Sequence, residues 1–123
     1  MKRLIPLIVL LSAFATSAFA RASCGNPSAD PACPKSQDQA TCVAHGGQWQ
    51  IVGLSPSPSC LCPTADAGCP CASNHDCSAG VCLGTGELSQ CRAEGATCAT
   101  QTPQVGCLCM VTGDGKADAI CID

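Results

Sequence analysis

Tyrosine is absent, and the two phenylalanines, Phe14 and Phe19, both fall in the first twenty residues. Trp49 is then the only aromatic side chain. Leu, Ile and Val are scarce beyond residue 20, numbering 13 in all. That is below the roughly 20% of large apolar residues at which chains tend to stay disordered. Apolar burial alone would not offset the ordering entropy, about 1–2 kcal/mol per residue. Positive charge is also short. Past residue 20 only Arg21, Lys35, Arg92 and Lys116 stand against nine acidic residues. With no basic patch, nucleic acid and anionic membrane surfaces are set aside as partners. No nucleophile elbow, zinc-protease helix motif or phosphate-binding glycine loop is present. Nor is there a Cys-x-x-Cys pair of the thiol-oxidoreductase kind. Catalysis has no sequence support, and no cofactor is expected.

What the chain has instead is cysteine. All 14 follow residue 20: Cys24, Cys33, Cys42, Cys60, Cys62, Cys69, Cys71, Cys77, Cys82, Cys91, Cys98, Cys107, Cys109 and Cys121. Residues 1–20 have the form of a secretory signal. Lys2 and Arg3 lead an uncharged run from Leu4 to Ala15, and Ala18-Phe19-Ala20 fits the small-x-small cleavage rule. The run falls short of the ~18 residues that a spanning helix needs, so no membrane span is expected after cleavage before Arg21. The short Lys-Arg-led leader is of bacterial type, which would mean the periplasm or the medium. In that oxidising space an even set of cysteines forms a disulfide framework of up to seven bridges, each worth roughly 2–4 kcal/mol. The fold class expected is small and disulfide-rich: irregular, with short β-hairpins and one or two short helical turns, over a single exported domain 21–123.

Local signals divide that domain. Residues 24–33 are turn-rich and read as an extended lead-in tied down by two bridges. A helix is expected over 34–44, with Ser36 and Gln39 as a capping box and Gly46-Gly47 as terminator. Residues 48–54 read as a strand, and 55–59, Ser-Pro-Ser-Pro-Ser, as an exposed loop. Cys60-Leu61-Cys62 recurs as Cys107-Leu108-Cys109, each preceded by Cys-x-Ala-x-Gly at 42–46 and 91–95. This defines a diverged repeat, 42–69 and 91–121, around a central hairpin 69–91, with a short helical turn expected at the head of each copy. In a strand, residues i and i+2 share a face, so the two sulfurs of Cys-x-Cys would face the core and take separate partners. Fourteen cysteines admit about 135,000 complete pairings, and spacing does not choose among them. The expectation is bridging within each copy plus one or two links to the centre.

The piece Cys71-x5-Cys77-x4-Cys82, with Asp76 and Gly80, resembles the small secreted disulfide modules of dickkopf- and colipase-like proteins. It covers residues 69–91 and lacks their adjacent Cys-Cys pair. The resemblance implies a small bridged hairpin with a binding or spacer role.

Three readings of function follow. The first is an exported interaction module for a protein or surface partner, since stiff stapled loops lower the entropic cost of binding. Its exposed candidates are 55–59, 83–90 and 99–106. The second makes one of these a protease-inhibitor loop, with Leu83, Leu88 or Val105 in the specificity pocket. The third is a soft-metal site built from thiolates of the Cys-x-Cys pairs, 60/62, 69/71 and 107/109, with His45 and His75 as further ligand candidates. Residues 112–118 also resemble the back half of a repeat-type calcium loop. Asp114 and Asp118 are its weak ligand candidates, although Met110 and Thr112 occupy two expected ligand positions. The simpler reading of Gly113-Asp114-Gly115 is a turn joining strands at 105–111 and 119–122. Trp49 reads as core more than as a surface anchor.

Overall fold

The computed structural model describes residues 24–123, so the expected leader and its cleavage site lie outside the described residues. The helical region is shorter than 34–44 and is split. A 3-10 turn, Cys33–Lys35, is followed by helix α1, Gln39–Ala44. The cap is Asp38, not Ser36. Asp38 accepts from the Thr41 N–H at 2.9 Å and from the Thr41 hydroxyl at 2.8 Å. Both Ser36 and Asp38 are extended, which separates the two turns. A carboxylate that engages two donors of Thr41 starts the helix later than a serine hydroxyl at 36 would. Among the described residues the Ser36 hydroxyl is buried and has no partner. Gly46, at φ 81°, ends α1 in the left-handed region, and Gly47 N–H closes back on the Cys42 carbonyl at 2.9 Å.

Strands β1 (Gln48–Gln50), β2 (Ser59–Pro63) and β5 (Gln101–Thr102) form an antiparallel sheet with β2 in the middle. β1 stops four residues before the expected end. A Gly53 turn at φ 63° takes over, with Ser55 N–H bonded to the Val52 carbonyl.

The second sheet has the order β4-β3-β6-β7, from β3 (Cys82–Thr85), β4 (Arg92–Cys98), β6 (Gly106–Val111) and β7 (Ala117–Ile122). Residues 69–91 are therefore not a self-contained hairpin. They supply one strand, β3, paired on one side with β4 and on the other with β6. The two copies of the repeat also differ at their heads. Residues 42–46 form the last turn of α1 and its end, whereas 91–95 run into strand β4. A Cys-x-Ala-x-Gly string encodes neither state strongly, and sheet pairing decides at the second site. The β6–β7 hairpin matches the expected Gly-Asp-Gly turn, with β7 beginning two residues earlier than expected.

The fold class is small and disulfide-rich: short antiparallel strands in two small sheets, one helix and a few 3-10 turns. Its core is two clusters. One comprises Cys33, Cys42, Cys60 and Cys62 with Trp49 packed against it; the other comprises Cys77, Cys82, Ala96, Cys98 and Val111.

Candidate functional site: an uncharged face over buried disulfides

The fourteen sulfurs form seven bridges: Cys24–Cys69, Cys33–Cys62, Cys42–Cys60, Cys71–Cys82, Cys77–Cys98, Cys91–Cys109 and Cys107–Cys121. The lead-in is tied by its two cysteines to Cys69 and Cys62. Each Cys-x-Cys pair takes two separate partners; for 60/62 and 107/109, which lie on strands, this is what same-face sulfurs require, while 69/71 lies outside the strands. In β2 both sulfurs face the core. In β6 they do not: Cys107 is exposed and Cys109 half-buried, because the partners, Cys121 on β7 and Cys91 at the head of β4, lie on the outer part of the second sheet.

Beneath β1 and β2 the bridges Cys33–Cys62 and Cys42–Cys60 touch, with Cys60 Sγ 3.5 Å from Cys33 Sγ and 3.3 Å from Cys62 Sγ. Gly47 lies directly on them. A Cβ there would come within 2.7 Å of the Cys33 and Cys42 sulfurs and closer still to that of Cys60. Trp49 projects onto the same cluster, so it is a core residue and only half-buried.

The sulfurs of Cys33, Cys60 and Cys62 lie within 4.8 Å of one another, as do those of Cys71, Cys77 and Cys98. In bridges these atoms are neutral, whereas zinc and Cu(I) sites use thiolates, so either group becomes a ligand set only on reduction. The two histidines do not join them. His45 Nδ1 meets Asp30 Oδ2 at 2.6 Å, which clips the lead-in to the end of α1. The Ala32 N–H and then His45 hold the Asp30 carboxyl below its ordinary range. His75 is exposed, beside Gly113 of the β6–β7 turn.

Asp114 is occupied within its own turn. It accepts from the Thr112 hydroxyl and, at 3.1 Å, from the Lys116 N–H, and these bonds lower its pKa. Asp118 is exposed on β7, opposite Met110. The pair thus reads as a structural turn residue plus a solvated strand residue.

The outward side of the first sheet is different in kind. Alternation sends Trp49, Cys60 and Cys62 inward, while Gln48, Gln50 and Gln101 are exposed on the opposite side, around Leu61, which is itself buried there. Shallow hollows of about 180 and 190 Å³ flank Leu61 and extend to Ile51, Val52, Gly53, Gln104 and Val105. No charged side chain lines either hollow. At the rim, Ile51 is 54% and Leu54 82% exposed. Sequence reasoning placed exposure at 55–59 and missed Leu54, because it assigned 48–54 to a strand. Of the other loop candidates, Leu88 is exposed on a 3-10 turn while Leu83 and Val105 are half-covered. A separate cleft of about 350 Å³ lies between the lead-in and the end of β2, lined by Pro31, Pro34, Pro63, Ala29 and Ala79 among others. Its polar neighbours are spoken for: Asp30 by His45, Thr64 by the Ala99 carbonyl.

No family model matches the chain, and no match is found among curated proteins or among solved structures. Among the described residues no helix is long and apolar enough to cross a membrane. Together with seven bridges, that is compatible with an extracellular or secreted protein.

Proposed function

We propose that the chain is an exported, disulfide-stapled interaction module whose contact surface is the uncharged face of β1, β2 and β5 with the Ile51–Leu54 rim. The observation that carries this reading is the exposure of Leu54 and Ile51. A chain this poor in large apolar residues leaves four of them on solvent, Val43, Ile51, Leu54 and Leu88, and two of these share the tip of one hairpin. The base of that hairpin is stapled by Cys42–Cys60. A pre-stiffened apolar tip binds at low entropic cost. The signal-like leader and the cysteine load support delivery to the periplasm or medium of a bacterium, and the dickkopf- and colipase-like spacing of 69–91 supports binding over catalysis. A substrate-like inhibitor loop is less well supported: of its candidates Leu83 and Val105 are half-covered, and Leu88 sits in a 3-10 turn rather than in an extended segment.

The test is site-specific photo-crosslinking in the native exported compartment. A photoreactive residue at Leu54 should capture one defined partner, and the same residue at Glu87, in the loop after β3, should not. Loss of the crosslink with Ile51→Asp would tie it to the rim. Equal labelling from both positions, or none from Leu54, would overturn the reading. Intact mass before and after reduction tests export: reducing a fully paired chain adds roughly one dalton per cysteine, about 14.

A further inference from the structure

The two sheets present four edges, and three of them are guarded. β4 carries Arg92 and Glu94 on its first half. Its second half is covered by residues 68–71, through Gly68 N–H to Cys98 O at 3.0 Å, Cys71 N–H to Ala96 O at 3.1 Å and Cys98 N–H to Cys69 O at 2.8 Å. β7 carries Asp118 and follows Lys116. β5 is two residues long and runs into Pro103. Charge, proline and a covering segment are the devices that stop an edge from pairing with another chain.

β1 has none of them. It is short, which limits its reach, but the chain continues from Gln50 into Ile51 and Val52, two strand-favouring residues. No charge or proline follows until Pro56. The backbone of 48–50 bonds to β2 and, among the described residues, makes no further backbone bond on its other side. The strand pattern of 48–54 is therefore only partly used.

Charge selects the occupant. Among residues 24–123 the charged side chains number three basic and nine acidic. None lies in 46–65 or 95–113. The backbone of Asp123 comes next to Gly53, and Asp30, paired with His45, lies before Gly46. Two copies of so acidic a chain repel through most of their surface, and the β1 side is where they meet with least like-charge cost. An edge that pairs with its own copy is also self-complementary, as a two-fold interface requires.

We infer that β1 is a self-association edge: two copies pair antiparallel through Gln48–Val52, joining two three-stranded sheets into one and covering Ile51 of each. The inference rests on the reading of the uncharged face as the contact surface and names its occupant as a second copy of this chain.

Sedimentation equilibrium of the oxidised protein, from micromolar to millimolar, tests it. A monomer–dimer equilibrium is expected, weakened about tenfold or more by Gln48→Lys with Gln50→Lys, which brings lysines of the two copies together across the edge. Gln90→Lys, exposed on the 3-10 turn before β4 and away from the first sheet, should leave it unchanged. Amide exchange at 48–52 should slow as concentration rises. A monomer throughout the range overturns self-association, while the Leu54 crosslink to another partner would still stand. A dimer broken by Leu54→Asp but indifferent to the two lysines overturns edge pairing and places the contact at the hairpin tip.

Discussion

Under β1, β2 and β5 the buried layer is four cysteines with Trp49 against them, whereas the four-stranded sheet buries Val111 and Ala96 alongside Cys77, Cys82 and Cys98. Apart from Leu61, buried on the other side of β2, the first half is held by sulfur almost alone. The second has some aliphatic packing, and two of its bridges, Cys91–Cys109 and Cys107–Cys121, sit toward solvent. Charge divides the same way: the first sheet carries none on its strands, while the second holds Arg92, Glu94 and Asp118 on its own. A disulfide is thus a core residue in one half and a cross-strand clip in the other.

Two bridges isolate that difference. Cys42–Cys60 and Cys91–Cys109 both span 18 residues, so the loop-closure contribution to stability is the same for each. Only burial differs. Replacing Cys42 and Cys60 together by Ser should cost about 2–5 kcal/mol and carry the larger penalty, because it also buries two hydroxyls in a sulfur-lined core. The Cys91 and Cys109 double variant should cost clearly less. Denaturant midpoints of the two would show it; equal costs would mean that burial of the bridge is irrelevant.

Gly47→Ala should be next, at about 1–3 kcal/mol, since its methyl group has no room between the sulfurs. Gly46→Ala separates space from conformation. Its Cβ meets nothing, but φ is 81°, so it should cost about 1 kcal/mol. If Gly47→Ala is the milder of the two in thermal unfolding, the sulfur cluster is more yielding than its packing implies.

Val111→Ala probes the other half. Val111 is fully buried, and truncation should cost about 2 kcal/mol there. Hydrogen exchange should show the loss in β3 and β6 and leave β1 and β2 unaffected. Loss spread equally over both sheets would mean that the halves unfold as one.

The smallest effect expected is with acid. Asp30 has a lowered pKa from Ala32 N–H and from His45. At Asp66 burial pushes upward, but the Ser78 hydroxyl and N–H outweigh it and the net shift is downward. A carboxyl whose folded pKa lies below its unfolded value stabilises above the unfolded value, near 4, and loses that contribution as pH falls through the folded one. The melting temperature should therefore fall below about pH 4, with a shallower fall in Asp30→Asn. An identical pH profile for the variant would remove the Asp30–His45 clip from the account.

Several elements were legible because their causes are local. The stop at Gly46-Gly47 follows from backbone freedom, the Gly113–Gly115 turn from turn chemistry, and the separate partners of the strand Cys-x-Cys pairs, 60/62 and 107/109, from the two-residue period of a strand. The choice of Asp38 over Ser36, the end of β1 at Gln50 and the entry of 91–95 into a strand were not legible. The first two turned on competition between local signals, Asp38 with Thr41 against Ser36 and the Gly53 turn against strand propensity, and the third on pairing with β3. The uncharged face was half visible: the lack of charge in 46–65 can be read from the chain, but its meeting with 101–105 requires the β2–β5 pairing.

The sequence by itself determined that apolar burial would fall short and that cysteines would supply the missing cohesion, because composition sets how much surface a chain can hide. Only the tertiary structure decided which sulfur meets which, and therefore which bridges became core. A disulfide forms between atoms that are close in space, and residues 18 or 45 positions apart carry no local signal of that closeness.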